Sequence, residues 1–137
     1  MKKSRYSRKG FTLAEGMMAV FLLAIATSAV AMPFVAGANV RAEGARRTLA
    51  AKLAHDKLEQ IVNMDFDDLW LYDGYFEFQG MVENANGGFF TDPIYSKFIR
   101  ITNVTPATVG GVELSWVTVR VYYDENEMIR LSTLVGR

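Results

Sequence analysis

The feature that most constrains this chain is an apolar run of thirty residues, 11–40, in which Glu15 is the single charged residue. As a helix this run would extend for roughly 45 Å, because each residue adds about 1.5 Å. The hydrocarbon core of a bilayer is only about 30 Å thick. The sequence therefore predicts a helix over residues 11–40 that is long enough to cross a membrane.

The charge distribution gives this helix a direction. Five of the fifteen basic residues lie in the first nine positions, which contain no acid. The rest of the chain carries 10 basic and 15 acidic residues, so the zero net charge hides a basic leader on an acidic body. Because positive residues flanking a span stay on the cytoplasmic side, we expect residues 1–10 in the cytoplasm and the bulk of the chain outside it.

Three interpretations of this amino-terminal segment compete. A secretory signal would be cut after a small-x-small site such as the one ending at Ala31, which would release a secreted or periplasmic binding domain. An ordinary single-pass anchor would carry Glu15 at a cost of about 3 kcal/mol without using it. In the third interpretation Glu15 is functional, because an ionisable residue at membrane depth marks a functional site by default.

The junction Lys-Gly-Phe-Thr-Leu-Ala-Glu at residues 9–15 favours the third interpretation. It resembles the prepilin peptidase site of type IV pilins and type II secretion pseudopilins, in which a short basic leader and a glycine precede Phe-Thr-Leu, a glutamate and an apolar helix. The resemblance implies cleavage between Gly10 and Phe11 on the cytoplasmic face and N-methylation of Phe11. The apolar helix then stays in the mature protein.

The resemblance also implies that Glu15 is an assembly contact. Cleavage would create an amine on Phe11, and a helix starting there places Glu15 one turn away, within reach of its own amine or a neighbour's. A neutralised pair can be buried among apolar helices, whereas a lone carboxylate there would be heavily penalised. A new subunit whose Glu15 meets the amine of an adjacent Phe11 would be held in register.

The remaining sequence predicts a helix followed by strands. In residues 41–64 apolar residues recur at three- to five-residue steps among charged ones, which is typical of an amphipathic helix. The apolar members are Leu49, Leu53, Leu58, Ile61 and Val62. We expect one helix to continue from the membrane-spanning part into this part, unless Pro33, Gly37 or Gly44 interrupts it.

Residues 65–93 are predicted to form an irregular connector, and residues 94–137 an antiparallel sheet. Strand-like runs cover roughly residues 97–104, 112–123 and 128–135, with a hairpin turn over 124–127. In the middle run, Val117, Val119 and Val121 alternate with more polar residues, as in a strand with one buried face. The predicted fold class is α+β: a long amino-terminal helix packed on a small carboxy-terminal antiparallel sheet.

A second resemblance lies in this part of the chain. The segments at 54–59 (Ala-His-Asp-Lys-Leu-Glu), 65–69 (Asp-Phe-Asp-Asp-Leu) and 131–135 (Leu-Ser-Thr-Leu-Val) are similar to PilV-type minor pilins and to minor pseudopilins of type II secretion. Many major pilins close a carboxy-terminal loop with a disulfide, and this chain has no cysteine. That difference favours a minor subunit.

The resemblance implies a structural protein of the bacterial inner membrane whose carboxy-terminal domain is periplasmic or extracellular. The partners it implies are the prepilin peptidase, other pilin or pseudopilin subunits, the inner-membrane assembly platform and the lipid bilayer. A pilus, a secretion pseudopilus and a DNA-uptake system share this amino-terminal machinery, so the choice among them stays open.

Other chemistry has little support in the sequence. The aspartates at 65, 67, 68 and 73 offer hard oxygen ligands, but they lack the glycine and the terminal glutamate of an EF-hand loop, and a solvated acidic loop is the better interpretation. His55 is the single histidine and has no nucleophile motif to accompany it. We therefore expect no enzymatic activity, no cofactor and no metal.

Nucleic acid is not an expected partner. The arginines at 41, 46 and 47 form a small cationic group on an otherwise acidic protein, whereas nucleic-acid-binding proteins carry a broad basic surface. These side chains follow directly after the apolar run. Their position favours contact with the polar layer of the membrane, where long basic side chains extend towards water.

Overall fold

The structure is a computed structural model that describes residues 11–137; the predicted cleavage residue Gly10 and the leader, residues 1–10, lie outside the described residues. The described chain begins with one long helix and continues into a sheet. The elements in order are α1 (Leu13–Val62), a 3-10 helix (Phe66–Tyr72), β1 (Tyr75–Glu77), a 3-10 helix (Pro93–Tyr95), β2 (Phe98–Val109), β3 (Val112–Tyr123) and β4 (Asn126–Gly136). The predicted α+β fold class is confirmed.

Helix α1 is 50 residues long and continues through Pro33, Gly37 and Gly44, where the sequence predicted possible interruptions. A proline removes one backbone donor, but the alanine-rich sequence around it favours helix strongly enough to continue. The chain divides into two compact units after Ala42, within this helix.

The first unit exposes its apolar side chains. Between residues 11 and 42 every residue except Gly16 is exposed, including Leu13 at 85% and Phe34 at 76%. By length and composition α1 is able to cross a membrane, and none of its most apolar window is buried within the described chain. An apolar surface of this extent is stable in lipid or against other helices, and unstable in water.

The second unit, Glu43–Arg137, contains the end of α1 and a four-stranded antiparallel sheet in the order β1-β2-β3-β4. The long strands are joined by two-residue loops whose residues have positive φ, Gly110-Gly111 and Asp124-Glu125. Such loops match the right-handed twist of the strands that they connect. The predicted hairpin is therefore confirmed, but its turn is only residues 124–125 and β4 begins at Asn126, inside the predicted turn of residues 124–127.

The core lies between one face of the sheet and the last turns of α1. Val117, Val119 and Val121 are fully buried, whereas Trp116 on the opposite face of β3 is 44% exposed, so the predicted alternation is confirmed. The buried apolar residues are Ala50, Leu53, Ala54, Ile61, Leu69, Val82, Phe98, Val104, Val117, Val119 and Val121.

The buried face of α1 differs from the predicted apolar stripe. Leu53 and Ile61 are buried as expected, but Val62 is 43% exposed, and Lys57, one of the charged residues between the apolar ones, is buried. The spacing of residues 50, 53, 54, 57 and 61 places them on one face of the helix. Lys57 is buried because it lies on this face, despite its charge.

The connector is more ordered than the sequence predicted. It contains the first 3-10 helix and strand β1, which pairs with β2 through Tyr75 opposite Thr102 and Glu77 opposite Arg100. Leu69 and Val82 from this segment are buried in the core. A strand of three residues is too short to produce a detectable alternation, which is why the sequence did not reveal β1.

Candidate functional site

The first site is the start of α1, where Thr12 and Glu15 form reciprocal hydrogen bonds. The Thr12 backbone N–H and its hydroxyl both donate to Glu15 Oε2, each at 3.0 Å. The Glu15 backbone N–H donates back to Thr12 Oγ1 at 3.3 Å. This arrangement is a capping box, in which the first turn of a helix satisfies its own unpaired donors.

The capping box places the Glu15 carboxylate beside the beginning of the helix. Phe11, the predicted new amino terminus, directly precedes Thr12 and is 80% exposed. Gly10, the other residue of the predicted cleavage bond, lies outside the described residues. The structure thus brings Glu15 to Thr12, one residue from Phe11, and the roles of Gly10, Phe11 and Glu15 in processing and assembly stay predictions.

Sequence reasoning did not identify the contact between Thr12 and Glu15, although its signal was present. A threonine followed three residues later by a glutamate, before an apolar run, is the pattern of a capping box. In the described chain the carboxylate is already hydrogen-bonded by its own subunit. A neighbouring amine would therefore compete with Thr12 for Glu15.

The second site is a buried group of charges in the unit Glu43–Arg137. Arg100 on β2 binds Glu77 on β1 through two parallel contacts, one from Nε to Oε2 and one from Nη2 to Oε1 at 2.7 Å. Its Nη1 donates to the backbone oxygen of Leu53 on α1 at 2.9 Å, and its Nη2 also donates to the backbone oxygen of Glu83 at 3.0 Å. Arg100 therefore joins the helix, two strands and the connector.

Lys57 completes this group from the helix. Its Nζ lies 3.4 Å from Glu77 Oε1 and 3.2 Å from Glu83 Oε2. The same Nζ lies 5.0 Å from the ring centroid of Tyr72 and 4.8 Å from that of Tyr75, within the range of cation–π attraction. Two buried cations thus face two carboxylates, and the group carries no net formal charge.

Burial and hydrogen bonding shift the pKa values of Tyr75 and Glu83 beside these charges. Burial raises the pKa of Tyr75 to about 12, with a further contribution from its hydrogen bond to Glu83. Burial alone would raise the pKa of Glu83, but hydrogen bonds from Lys57 and Tyr75 outweigh it and hold that pKa below its ordinary value. Glu83 is therefore ionised at neutral pH, and the neutral phenol of Tyr75 donates to it.

We refer to Lys57, Glu77, Glu83 and Arg100 as the buried ionic group. Its members come from separate elements, and the sequence interpretation assigned none of them a role. The available signal was weak: Glu77 and Arg100 stand at inward-facing positions of strands. The buried ionic group offers neither a nucleophile nor an open pocket. We therefore interpret it as a set of ion pairs and hydrogen bonds that holds α1 against the sheet.

The other residues singled out in the sequence are dispersed. Asp67 pairs with Arg137 at 3.1 Å, and Asp73 accepts a hydrogen bond from the Val104 backbone at 3.0 Å. Within residues 11–137 no three acidic or histidine side chains converge as metal ligands. His55 is exposed, with Nε2 3.9 Å from Glu59, which is too long for a hydrogen bond.

Two of the three arginines near the apolar run have partners. Arg47 Nε donates to Glu43 at 3.0 Å. The Arg46 guanidinium stands 4.8 Å from the ring centroid of Tyr123 on β3, which places it against the sheet. These contacts belong to the second unit, so neither side chain is simply a free basic group.

Comparison with known proteins identifies the amino-terminal segment. Residues 5–31 match the family model described as the prokaryotic N-terminal methylation motif. The match covers most of the leader, the junction at residues 9–15 and much of the apolar run, about a fifth of the chain. The chain has no significant match among curated proteins or among solved structures. The motif supports a type IV pilin-like amino terminus that is processed as a prepilin.

Proposed function

We propose that this chain is a structural minor pilin or minor pseudopilin that is assembled into a type IV pilus or a type II secretion pseudopilus. Prepilin peptidase cuts it after Gly10 and methylates the amine of Phe11. Before assembly the processed subunit resides in the inner membrane, with its carboxy-terminal domain outside the cytoplasm. The observation that carries this proposal is the methylation motif at residues 5–31.

The geometry of α1 supports the same proposal. Its first unit exposes apolar side chains on all sides, as a helix must if it moves from lipid into a bundle of similar helices. Glu15 is the single charge in the apolar run, residues 11–40, and lies at the end where cleavage would create an amine. The absence of cysteine favours a minor subunit over a major pilin with a disulfide-closed loop.

The proposal assigns the partners as follows. The prepilin peptidase acts on the junction at residues 9–15, and the inner-membrane assembly platform receives the processed chain. Other pilin or pseudopilin subunits contact its helix through small residues that allow close approach. The protein acts as a substrate and building block, with no catalysis of its own.

The first test is the intact mass and the amino-terminal sequence of the protein purified from the membranes of its native cell. We expect a mature chain that begins with N-methylated Phe11. A soluble chain beginning at Met32 would overturn the proposal, because an ordinary signal peptidase would then have removed the motif. That result would instead support a released periplasmic domain.

The second test is Glu15→Val, with Glu43→Ala as the matched acidic change outside the apolar run. We expect Glu15→Val to insert and to be cleaved normally, but to enter sheared filaments about tenfold less, as loss of about 1.4 kcal/mol of assembly contact would cause. Glu43→Ala should assemble like the parent chain. If Glu15→Val entered filaments as efficiently as the parent chain, the proposed role of Glu15 in assembly would be refuted.

A further inference from the structure

The loop that joins Glu83 to Phe89 has the sequence Asn-Ala-Asn-Gly-Gly, residues 84–88. Glu83 and Phe89 pair as an isolated antiparallel bridge, so the loop leaves and re-enters the unit Glu43–Arg137 at neighbouring positions. Asn86 lies in the middle of this loop and is exposed to solvent. Its side chain is therefore open to reaction with water and with its own backbone.

The two asparagines of this loop differ in how their carboxamides are held. Asn84 Oδ1 accepts hydrogen bonds from the backbone N–H groups of Asn86, at 2.9 Å, and of Gly88, at 3.2 Å. Among residues 11–137 the side chain of Asn86 has no hydrogen-bond partner. The Asn86 carboxamide is therefore free to turn towards the following backbone nitrogen, whereas that of Asn84 is fixed.

The residue after an asparagine decides how readily this backbone nitrogen reaches the side-chain carbonyl carbon, Cγ. A side chain on that residue obstructs the approach, and glycine has none. Of the six asparagines in the sequence, Asn86 alone precedes a glycine. Gly87 has a φ of 78°, and no heavy atom beyond its chain neighbours lies within 4 Å of the place where a Cβ would stand. The space in which the two groups must meet is therefore open.

One hydrogen bond restrains the nitrogen. The Gly87 backbone N–H donates to the Asn84 backbone oxygen at 3.1 Å, and this bond must break before the nitrogen can attack. Residues 85–88 are exposed, and opening an exposed loop costs much less free energy than unfolding the core. Local opening of the loop therefore releases the nitrogen while the rest of the unit stays folded.

We propose that Asn86 is a modification site at which the folded chain deamidates through Gly87. Hydroxide removes the proton of the Gly87 backbone nitrogen, which then attacks Asn86 Cγ. A new C–N bond forms, the bond from Cγ to the side-chain nitrogen breaks, and ammonia leaves. Water opens the resulting cyclic imide at one carbonyl to give aspartate, or at the other to give isoaspartate. The reaction needs no oxidant, reductant or enzyme, so the modified fraction increases with the age of the protein.

The modification affects a loop that adjoins the buried ionic group. Either product adds a negative charge, and isoaspartate also adds one main-chain atom to a loop closed by the hydrogen bond from Asn84 N–H to the Gly88 oxygen at 2.7 Å. Glu83, directly before this loop, accepts hydrogen bonds from Arg100 Nη2 at 3.0 Å and from Lys57 Nζ at 3.2 Å. The isoaspartate form should therefore hold Glu83 less firmly and unfold at a lower temperature than the unmodified chain.

The test follows the intact mass of the purified full-length chain, kept folded in mild detergent at mildly alkaline pH. Conversion of an amide into an acid raises the mass, and peptide mapping assigns the change to one asparagine. We expect the change at Asn86, at a rate that increases with pH because base removes the Gly87 proton. The chain unfolded in guanidinium chloride should react faster, since the hydrogen bond to Asn84 is then absent.

Three variants separate the reacting group from its restraint. Asn86→Gln should reduce the modified fraction at least about tenfold, because a glutamine side chain must close a larger ring. Asn63→Gln, which changes another exposed asparagine, should leave the fraction unchanged. Asn84→Ala removes the carboxamide that holds the loop N–H groups and should raise the rate severalfold. Thermal unfolding checks that each variant folds; should Asn84→Ala fail to fold, the comparison of the parent chain with Asn86→Gln decides.

Three results would overturn the proposal. The first is a folded chain that stays unmodified at Asn86 while the unfolded chain reacts, because the turn would then protect the site. The second is a mass change that maps to another asparagine. The third is a folded Asn84→Ala variant that reacts no faster than the parent chain, which would refute the restraint by the loop. Each outcome is independent of whether Phe11 is methylated, so a failure here leaves the proposed function untouched.

Discussion

Four charged side chains meet in the interior of the unit Glu43–Arg137, where an uncompensated charge would cost several kcal/mol. Lys57, Glu77 and Arg100 are each at most 3% exposed, and Glu83 closes the group from its rim. Each cation faces carboxylate oxygens, so the group is neutral as a whole. At the scale of residues, the attachment of α1 to the sheet depends on all its members being present together.

Glu77→Gln removes one charge from the centre of this group while keeping its size. We expect a loss of about 3–5 kcal/mol in the free energy of unfolding, because Lys57 and Arg100 keep their charges with one carboxylate fewer. Thermal or denaturant unfolding of the full chain in mild detergent measures it. Glu113→Gln, an exposed acid 3.8 Å from Arg137, should change stability by less than about 1 kcal/mol. Equal losses would refute the central role of Glu77.

Because of Tyr75, the stability of the folded chain should depend on pH in the alkaline range. Its pKa is raised from 10.0 to about 12 in the folded chain, chiefly by burial. A raised pKa means that the stabilising neutral phenol is fully present below pH 10, and its contribution is lost as the pH rises towards 12. Unfolding temperatures measured across this window should fall more steeply for the parent chain than for Tyr75→Phe. Tyr95→Phe, which alters a ring stacked on Phe90, serves as control; parallel curves would contradict the assignment.

Helix α1 has two environments along its length. Its residues up to 42 expose apolar side chains, whereas Ala50, Leu53 and Ala54 are buried against the sheet. The side chains of the two alanines are small, so the helix backbone comes close to β2. At this distance Arg100 Nη1 donates a hydrogen bond to the Leu53 backbone oxygen at 2.9 Å. At the scale of elements, the packing of the helix on the sheet depends on these small residues together with the larger buried side chains of Leu53, Lys57 and Ile61.

Leu53→Ala tests this seating. Removing a fully buried leucine should lower the free energy of unfolding by about 2–5 kcal/mol, since the lost transfer energy is accompanied by a cavity. Leu71→Ala makes the same change at a side chain that is 74% exposed, and it should cost no more than about 0.5 kcal/mol. Denaturant titration followed by tryptophan fluorescence distinguishes them. A small effect at Leu53 would mean that the helix repacks.

The whole molecule combines two units that require different surroundings. The first presents an apolar helix surface, and the second buries its core and carries 9 basic and 14 acidic residues, a net charge of −5. Water suits the second unit and lipid or a helical bundle suits the first. Association with a membrane should therefore depend on the first unit alone.

Leu22→Arg combined with Ile25→Arg tests that dependence. Two arginines near the middle of the apolar run should cost about 6 kcal/mol on insertion scales, enough to prevent integration. The double variant should be extracted from membranes by alkaline carbonate, whereas the parent chain resists extraction. Leu71→Arg with Phe78→Arg places the same charges on exposed positions of the second unit and should leave integration unchanged. Extraction of this control would place the anchor elsewhere.

Local patterns in the sequence were sufficient for several features. The apolar run, the helix that extends from it, the valine alternation of β3 and the hairpin at residues 124–127 each depend on residues within a few positions of one another. The junction at residues 9–15 is equally local, and so is the capping box, whose Thr-x-x-Glu pattern was visible but not used. Such features are predictable because periodicity and turn chemistry act over short distances along the chain.

The tertiary structure alone decided the rest. Arg100 meets Glu77 from 23 residues away and the Leu53 oxygen from 47, and Arg137 meets Asp67 from 70. A buried lysine, a three-residue strand and an unpaired edge on β4 likewise follow from which elements become neighbours. By itself the sequence determined the helix, the processing motif and the α+β class. Packing decided which charges are buried and which strand edge stays open, because these contacts join residues that no local pattern relates.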